Sequence, residues 1–164
     1  MVNSFVSEQS VTSVIEFGCG DGNQLMLADY PSYLGFDVSP EAIALCRKKF
    51  RLDPTKSFGL VRDYNFEKAD LALSLDVIFH LVEDEVFERY MEMLFEAAQH
   101  FVIIYSSDSD ERKDDAPHVR HRKFTRWISE KRPEWRLLRH IPNRYPFSGD
   151  VKKGSFADFF VYVR

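Results

Sequence analysis

A glycine-rich turn with acidic residues around it is the part of this sequence whose residue types and spacing suit chemistry. The turn, residues 18–22, has glycine at every second position and follows an apolar run that ends at Glu16 and Phe17. Glycines here let the backbone turn sharply and approach a ligand without Cβ clashes. Asp37 lies 21 positions after Glu16, at the end of the next predicted strand, where a carboxylate accepts hydrogen bonds from both ribose hydroxyls. The pattern predicts a site for a nucleoside-containing cofactor.

The spacing of the glycines and the charges beside them narrow the choice of cofactor. A dinucleotide-binding turn reads G-x-G-x-x-G and meets a pyrophosphate, whereas this turn reads G-x-G-x-G. Glu16 precedes the turn and Asp21 lies within it. Two carboxylates repel a pyrophosphate but stabilise a sulfonium and an ammonium group. The residues therefore favour S-adenosylmethionine over NAD, and a nicotinamide oxidoreductase is a remote alternative.

Three segments resemble signature motifs of class I S-adenosylmethionine-dependent methyltransferases. Residues 16–22 and 35–40 are similar to the first two motifs, which are the specific ones, and residues 70–81 are similar to the motif at the fourth strand. The resemblance covers roughly residues 11–105. It implies an α/β fold of three layers, with a Rossmann-like doubly wound sheet of seven strands in the order 3-2-1-4-5-7-6, the last strand being antiparallel. It is consistent with a single domain over residues 1–164.

The resemblance also implies a role for each matching position. Glu16 would hold the ammonium group of the cofactor, and Asp37 would accept the ribose hydroxyls. The remaining implied contacts are Gly18, Cys19, Gly20, Leu75 and Asp76 along the methionine part, and Val38, Asp63 and Tyr64 around the adenine. About a dozen residues precede the first predicted strand. They predict a lid of one helix at most, an open site, or a lid that a partner supplies.

Candidate catalytic residues follow the fourth predicted strand. Methyl transfer is an in-line displacement, so catalysis needs positioning and removal of the acceptor's proton. Asp76 and His80 are candidates because ligands bind at the carboxyl ends of strands in open α/β sheets. A partly buried structural histidine is an equally good interpretation of His80. His121 is a third candidate, for which a solvated helix face of mixed charge is the alternative.

A basic segment, residues 118–140, contrasts with the rest of the chain. It has eight Lys or Arg side chains and two acids, whereas the chain as a whole has a net charge of −4. Within it, Arg120 and Arg122 are predicted to steer an anionic acceptor toward the site. The Ser- and Asp-rich residues 106–117 that precede it are predicted to form a mobile loop.

Apolar runs and helical patterns predict the elements that position these residues. Strands are predicted at 13–17, 32–37, 56–61, 71–75 and 101–105, with a terminal antiparallel pair at 135–141 and 157–163. Ser39 and Pro40 predict the start of a helix that continues to about Phe50. Helices are also predicted at 23–29 and 83–98, the second packing on the sheet through Val86, Tyr90, Met93, Leu94 and Ala97.

The composition excludes several classes of protein. A chain of 164 residues that is 45% hydrophobic and 29% charged is typical of one globular domain. Two cysteines, Cys19 and Cys46, indicate neither a disulfide framework nor a metal site, and no metal is predicted. No leader peptide and no run of eighteen apolar residues is found, which predicts a cytoplasmic protein without membrane contact. The motifs typical of DNA base methylation do not follow the fourth strand.

Together these features predict a cytoplasmic S-adenosylmethionine-dependent methyltransferase that acts on an oxygen or nitrogen of a small metabolite, with anionic and sugar-like acceptors favoured. Two alternatives stay open. One is a methyltransferase-like binding subunit that works with a catalytic partner. The other is a protein or RNA methyltransferase that docks its substrate on residues 118–140. DNA is not an expected partner.

Overall fold

The structure is a computed structural model that describes residues 1–111, 118–149 and 153–164. In chain order, its helices and strands are α1 (Val2–Glu8), β1 (Val14–Phe17), β2 (Tyr33–Asp37), α2 (Pro40–Lys49), β3 (Lys56–Leu60), β4 (Ala69–Leu75), α3 (Asp84–Ala97), β5 (Ala98–Ser106), α4 (Phe124–Lys131), β6 (Arg136–Ile141) and β7 (Asp158–Val163). In these ranges, no helix has the length and apolar character needed to cross a bilayer.

The strands form a seven-stranded sheet in the order β3-β2-β1-β4-β5-β7-β6. The first five strands pair in parallel, and β7 runs antiparallel to both β5 and β6. Every residue of β1 is buried, as expected for a parallel strand with helices on both faces. The predicted strand order and the antiparallel last strand are confirmed.

Two apolar clusters pack on opposite faces of the sheet. Ile15 and Phe17 of β1 join a cluster with α3 and α4, whereas Val14, which alternates with them, joins a cluster with α1 and α2. Helix α2 begins as its sequence predicts, because the Ser39 side chain accepts a hydrogen bond from the Ala42 amide at 3.2 Å. Layers of helix, sheet and helix result.

Helix α3 buries three of the five positions predicted for its core face, Tyr90, Leu94 and Ala97. Its buried side chains are Phe87, Tyr90, Met91, Leu94, Phe95 and Ala97. Val86 and Met93, which were expected in the core, line a cavity beside the helix instead. Hydrophobic spacing could not separate a core face from a cavity wall, because both are apolar.

Two other local predictions need correction. The predicted helix at 23–29 is a 3-10 turn, Gln24–Leu27, and residues 118–123 form a loop rather than a helix face. The amino-terminal segment forms one short helix, α1, within the predicted limit. Of the predicted mobile loop, residues 112–117 lie outside the described residues.

Candidate active site

The carboxyl ends of β1 and β2 meet at the glycine turn. In the parallel register, Phe17 lies beside Phe36, and the Phe36 carbonyl accepts hydrogen bonds from the Gly18 amide at 2.7 Å and the Cys19 amide at 3.0 Å. Gly18 has φ +91°, and a Cβ built there would come within 2.3 Å of Val77 Cγ2. Glycine is therefore required at position 18 both for its backbone angle and for the closeness of the chain that follows β4.

Asp37 is held across this turn. One carboxylate oxygen accepts from the Gly20 amide at 2.9 Å and the other from the Ser39 amide at 2.9 Å. Both bonds come from the backbone, so they fix the carboxylate at the end of β2 without neutralising it. Each oxygen has a second lone pair, which leaves Asp37 able to accept hydroxyl groups from a ligand.

A cavity of 620 Å³ opens at this edge of the sheet. Six residues predicted for the site lie on its wall: Gly18, Asp37, Val38, Leu75, Asp76 and His80. A Cβ built on Gly20 would have no atom within 4 Å, so this position faces open space. The fold thus brings residues from three strands, far apart in sequence, around one cavity.

Glu16 is a buried carboxylate beneath the turn. It accepts a hydrogen bond from the Tyr33 hydroxyl at 2.5 Å and lines a second cavity of 330 Å³. Burial raises the pKa of Glu16 to about 7, and the bond from Tyr33 only partly opposes this. A cationic group placed here by a ligand would lower that pKa and stabilise the carboxylate, which suits the predicted contact with an ammonium group.

We expect Glu16→Gln to stabilise the fold more at pH 8 than at pH 5. As pH rises from 4.5 to 7, glutamate ionises in the unfolded chain before Glu16 ionises in the folded one, so the wild type loses stability over this window. Glutamine keeps an acceptor for Tyr33 and carries no proton to lose. Urea unfolding should show a gain that is about 2 kcal/mol larger at pH 8. The exposed control Glu85→Gln should show no such change, and a gain independent of pH would contradict the assignment.

Five predicted cofactor contacts lie away from the 620 Å³ cavity wall: Glu16 and Gly20, described above, and Asp63, Tyr64 and Cys19. Asp63 is exposed on a 3-10 turn beside Arg62. The Tyr64 ring packs against the rings of Phe17 and Phe36, with centroid distances of 5.2 and 5.4 Å, so it contributes to core packing. Cys19 sits in the turn with its thiol toward the Gly20 carbonyl. Their predicted contacts with the cofactor remain predictions.

Asp76 and His80 are adjacent on the cavity wall. Burial raises the pKa of the Asp76 carboxyl, and the nearby His80 partly opposes that shift. Asp76 has φ +60°, a left-handed conformation that Asp and Asn tolerate better than other side chains. His80 Nδ1 lies 3.3 Å from the His118 carbonyl, which can only accept, so the neutral ring has its free lone pair at Nε2. Either residue can accept a proton from a ligand in the cavity.

The predicted anion-binding arginines form a structural cluster. Arg122 is buried, forms an ion pair with Asp84 and donates to the Val82 carbonyl at 2.8 Å. Arg120 also pairs with Asp84, at 3.1 Å, and donates to the same carbonyl at 2.9 Å. These contacts tie the 118–123 loop to the segment after β4. This placement corrects the expectation that Arg122 is open to an acceptor, because its guanidinium is already desolvated and paired.

His121 lies in a different place from Asp76 and His80. Its Nδ1 is 2.6 Å from the Ser107 hydroxyl, and its ring packs near Phe156 with centroids 5.2 Å apart. It lines a separate cavity of 550 Å³ beside β6 and β7. The structure therefore does not place it with the other two catalytic candidates, and a catalytic role for it stays a prediction.

Several wall residues were not anticipated from the sequence. The Tyr90 hydroxyl of α3 donates to the Phe17 carbonyl at 3.0 Å and accepts from the Ser74 hydroxyl at 2.7 Å, which links the ends of β1 and β4. Arg89, also from α3, lines the 620 Å³ cavity. Asn143 and Arg144 line a further cavity of 440 Å³ that shares Leu75 and Asp76 with the first. Tyr90 belonged to the predicted apolar stripe of α3, but its polar contacts are visible only in three dimensions.

These residues fit S-adenosylmethionine. Asp37 offers acceptors for a ribose, and Val38 offers an exposed apolar surface for an adenine. The buried Glu16 carboxyl lines the 330 Å³ cavity and would be stabilised in its ionised form by an ammonium group. Among the described residues, no group of three or more His, Cys, Asp or Glu side chains is arranged to hold a metal ion.

A sequence model of the methyltransferase domain family matches residues 14–100. A small RNA 2'-O-methyltransferase from Arabidopsis thaliana is 30% identical over 100 aligned residues, which cover 51% of this chain and 11% of the relative. The chain therefore matches only about a tenth of that relative's length.

Solved structures show the same fold. The methyltransferase domain of bacterial CtHen1-C superposes with a TM-score of 0.73 at 22% identity, covering 99% of this chain and 94% of that one. The N-methyltransferase NodS from Bradyrhizobium japonicum, in complex with S-adenosyl-L-homocysteine, has a TM-score of 0.75 at 15% identity, covering 96% and 80%. With the motifs, the sheet order and the family match in agreement, the chain belongs to the methyltransferase domain family, as a class I domain whose cofactor is S-adenosylmethionine.

Proposed function

We propose that this domain methylates an oxygen or nitrogen atom of a small acceptor, with the acceptor held beside Asp76. The observation that carries the proposal is the meeting of two cavities at Leu75 and Asp76. One, of 620 Å³, is lined by Asp37 and Val38, which suit a ribose and an adenine, and the other, of 440 Å³, continues past Asp76 toward β5 and β7. A volume of 440 Å³ is in the range of small-molecule sites.

S-adenosylmethionine, when bound, supplies a methyl group activated by its sulfonium. Asp37 and Glu16 would hold it, and the chain's remaining task is to orient the acceptor and take its proton. Asp76 suits that task because burial raises the pKa of its carboxyl toward the range where a carboxylate is a better base. His80, with Nε2 as its free lone pair, is the second candidate for the same step.

A hydroxyl of RNA is the second candidate acceptor. The 30% identity to the Arabidopsis small RNA 2'-O-methyltransferase favours it. The basic segment 118–140 supports RNA as the acceptor less than its charge suggests, because at least five of its eight cationic side chains form ion pairs with described residues. Those five are Arg120 and Arg122 with Asp84, Arg126 with Asp110, Arg132 with Glu96 and Arg139 with Glu8. Paired arginines release fewer counterions from a phosphate backbone.

The test is formation of S-adenosylhomocysteine from S-adenosylmethionine in the presence of separate acceptor pools: small metabolites, small RNAs and proteins. We expect turnover with the metabolite pool, and a loss of turnover in Asp76→Asn with S-adenosylhomocysteine binding retained. Asparagine matches the size of Asp76 and tolerates its φ of +60°, so the variant removes the base without adding strain.

Three outcomes would contradict the proposal. Turnover confined to the RNA pool would move the assignment to the second candidate. Turnover that appears only with an added partner would favour the binding-subunit alternative. Full turnover in Asp76→Asn would remove Asp76 as the base and leave His80.

A further inference from the structure

The 440 Å³ cavity beyond Asp76 has polar lining residues and an apolar wall. Tyr105 and Phe159 lie side by side on that wall, with ring centroids 4.5 Å apart, and Ile141 and Pro142 extend it. The Arg144 side chain also lines this cavity and brings a positive charge to it. An occupant that touches all of these surfaces has an apolar body with a charged group attached.

Arg144 differs from most arginines of the basic segment in having no acidic partner among the described residues. Arg120, Arg122, Arg126, Arg132 and Arg139 each form an ion pair, whereas no such pair involves Arg144 among the described residues. Its guanidinium contacts the ring of Tyr145, with the Cζ atom 5.7 Å from the centroid. The donors of Arg144 are thus available to an anion that enters the cavity.

The backbone that carries Arg144 is fixed from both sides. The Asn143 amide donates to Asp158 at 2.8 Å, and the Asn143 side chain donates to the Tyr105 hydroxyl at 2.7 Å and the Ala157 carbonyl at 3.0 Å. The same side chain accepts from the Tyr145 amide at 2.9 Å. These bonds hold the segment against β5 and β7, which lowers the entropy lost when Arg144 binds a ligand.

We propose that this cavity is the acceptor subsite and that Arg144 binds a carboxylate or phosphate group of an acceptor with an apolar body, whose reacting atom lies at Asp76. The inference rests on the proposed function. It places anion recognition at Arg144 rather than at Arg120 and Arg122. Guanidinium groups bind carboxylate and phosphate through two parallel hydrogen bonds, so Arg144 selects both for charge and for the orientation of the acceptor.

Benzoate and inorganic phosphate are the probes that test this subsite. Each is titrated at low salt into protein loaded with S-adenosylhomocysteine, and binding is followed by amide chemical shifts in NMR. We expect benzoate to shift the backbone amide signals of Tyr105 and of residues 141–145, apart from Pro142, which has no N–H. Arg144→Met should weaken benzoate binding about tenfold, and Arg144→Lys only a few-fold, because lysine keeps the charge and loses the paired geometry. Phosphate binding tighter than benzoate binding would indicate a phosphorylated acceptor, and the reverse a carboxylate.

Two controls separate a specific site from general electrostatics. Arg136→Met removes an exposed arginine of β6 and should leave benzoate binding unchanged. Benzyl alcohol, which lacks the charge, should bind the wild type and Arg144→Met equally.

Failure of the inference differs from failure of the proposed function. Benzoate binding that is equal in wild type and Arg144→Met, with S-adenosylhomocysteine still bound, would overturn the subsite alone. An equal loss in Arg136→Met would also overturn it. Absence of S-adenosylhomocysteine binding in the wild type would overturn the proposed function instead.

Discussion

Replacing Asp37 with alanine is expected to weaken S-adenosylhomocysteine binding about 100-fold. Hydrogen bonds to a charged group contribute about 1.5 to 3 kcal/mol each, and the variant loses those to a ribose together with the acceptors for Gly20 and Ser39. The turn and the start of α2 then lose their link, so part of the effect comes from a looser glycine turn. Isothermal titration calorimetry of the purified protein measures the change directly.

Two further variants separate the role of the Asp37 charge from that of its backbone contacts. Asp37→Asn keeps one acceptor oxygen but not the charge, and should fall between the wild type and alanine. Asp29→Ala removes an exposed aspartate outside the cavity and should bind normally. Melting temperatures without ligand report the loss of the backbone bonds alone. Unchanged affinity in Asp37→Ala would remove the cavity from consideration as the cofactor site.

Gly18→Ala is expected to lower the free energy of unfolding by about 3 kcal/mol and to abolish cofactor binding. Alanine at position 18 would have to adopt a φ of +91°, which strains its backbone. Its Cβ would lie 2.3 Å from Val77 Cγ2, so the variant combines backbone strain with overpacking. The backbone must move where β1 meets the segment after β4, which is the wall of the cavity. Urea unfolding measures the first effect and calorimetry the second.

Gly20 provides the matched control for Gly18, because it has φ +56° and no atom within 4 Å of a built Cβ. Gly20→Ala adds strain without a clash, so it should cost only about 1 kcal/mol. Adding Val77→Ala to Gly18→Ala should restore part of the lost stability, as a double-mutant cycle would show. Equal losses in Gly18→Ala and Gly20→Ala, with no coupling to Val77, would contradict this account.

The sheet was predictable from local pattern. The run that became β1 is apolar because both its faces are covered by helices, and the glycine turn ends it. Helix α2 began at its predicted cap for the same kind of reason, since Ser39 and Pro40 act within one turn of the chain. Strand order followed from the resemblance, and the structure confirms it.

The faces of the helices and the pairing of charges were not predictable. The apolar positions of α3 divide between the sheet and the cavity, and spacing alone carries no information about which neighbour each position meets. Arg122 is a surface cation by type but is buried in the fold, because Asp84, 38 positions earlier, and the Val82 carbonyl satisfy its guanidinium. An isolated arginine would not be buried without such partners.

The sequence by itself predicted the residues of the cofactor site, because those residues lie in turns at the ends of parallel strands, and turn residues act through the conformation of a few neighbouring peptides. Gly18, Asp37 and Asp76 are each recognisable from the strand that precedes them. Only the tertiary structure decided which arginine lines the 440 Å³ cavity. That choice depends on which arginines find an acid across the fold, and such pairing is set by distances between residues far apart in the chain. Arg122 pairs with Asp84, whereas Arg144 has no acidic partner among the residues that the structure describes and lines the 440 Å³ cavity.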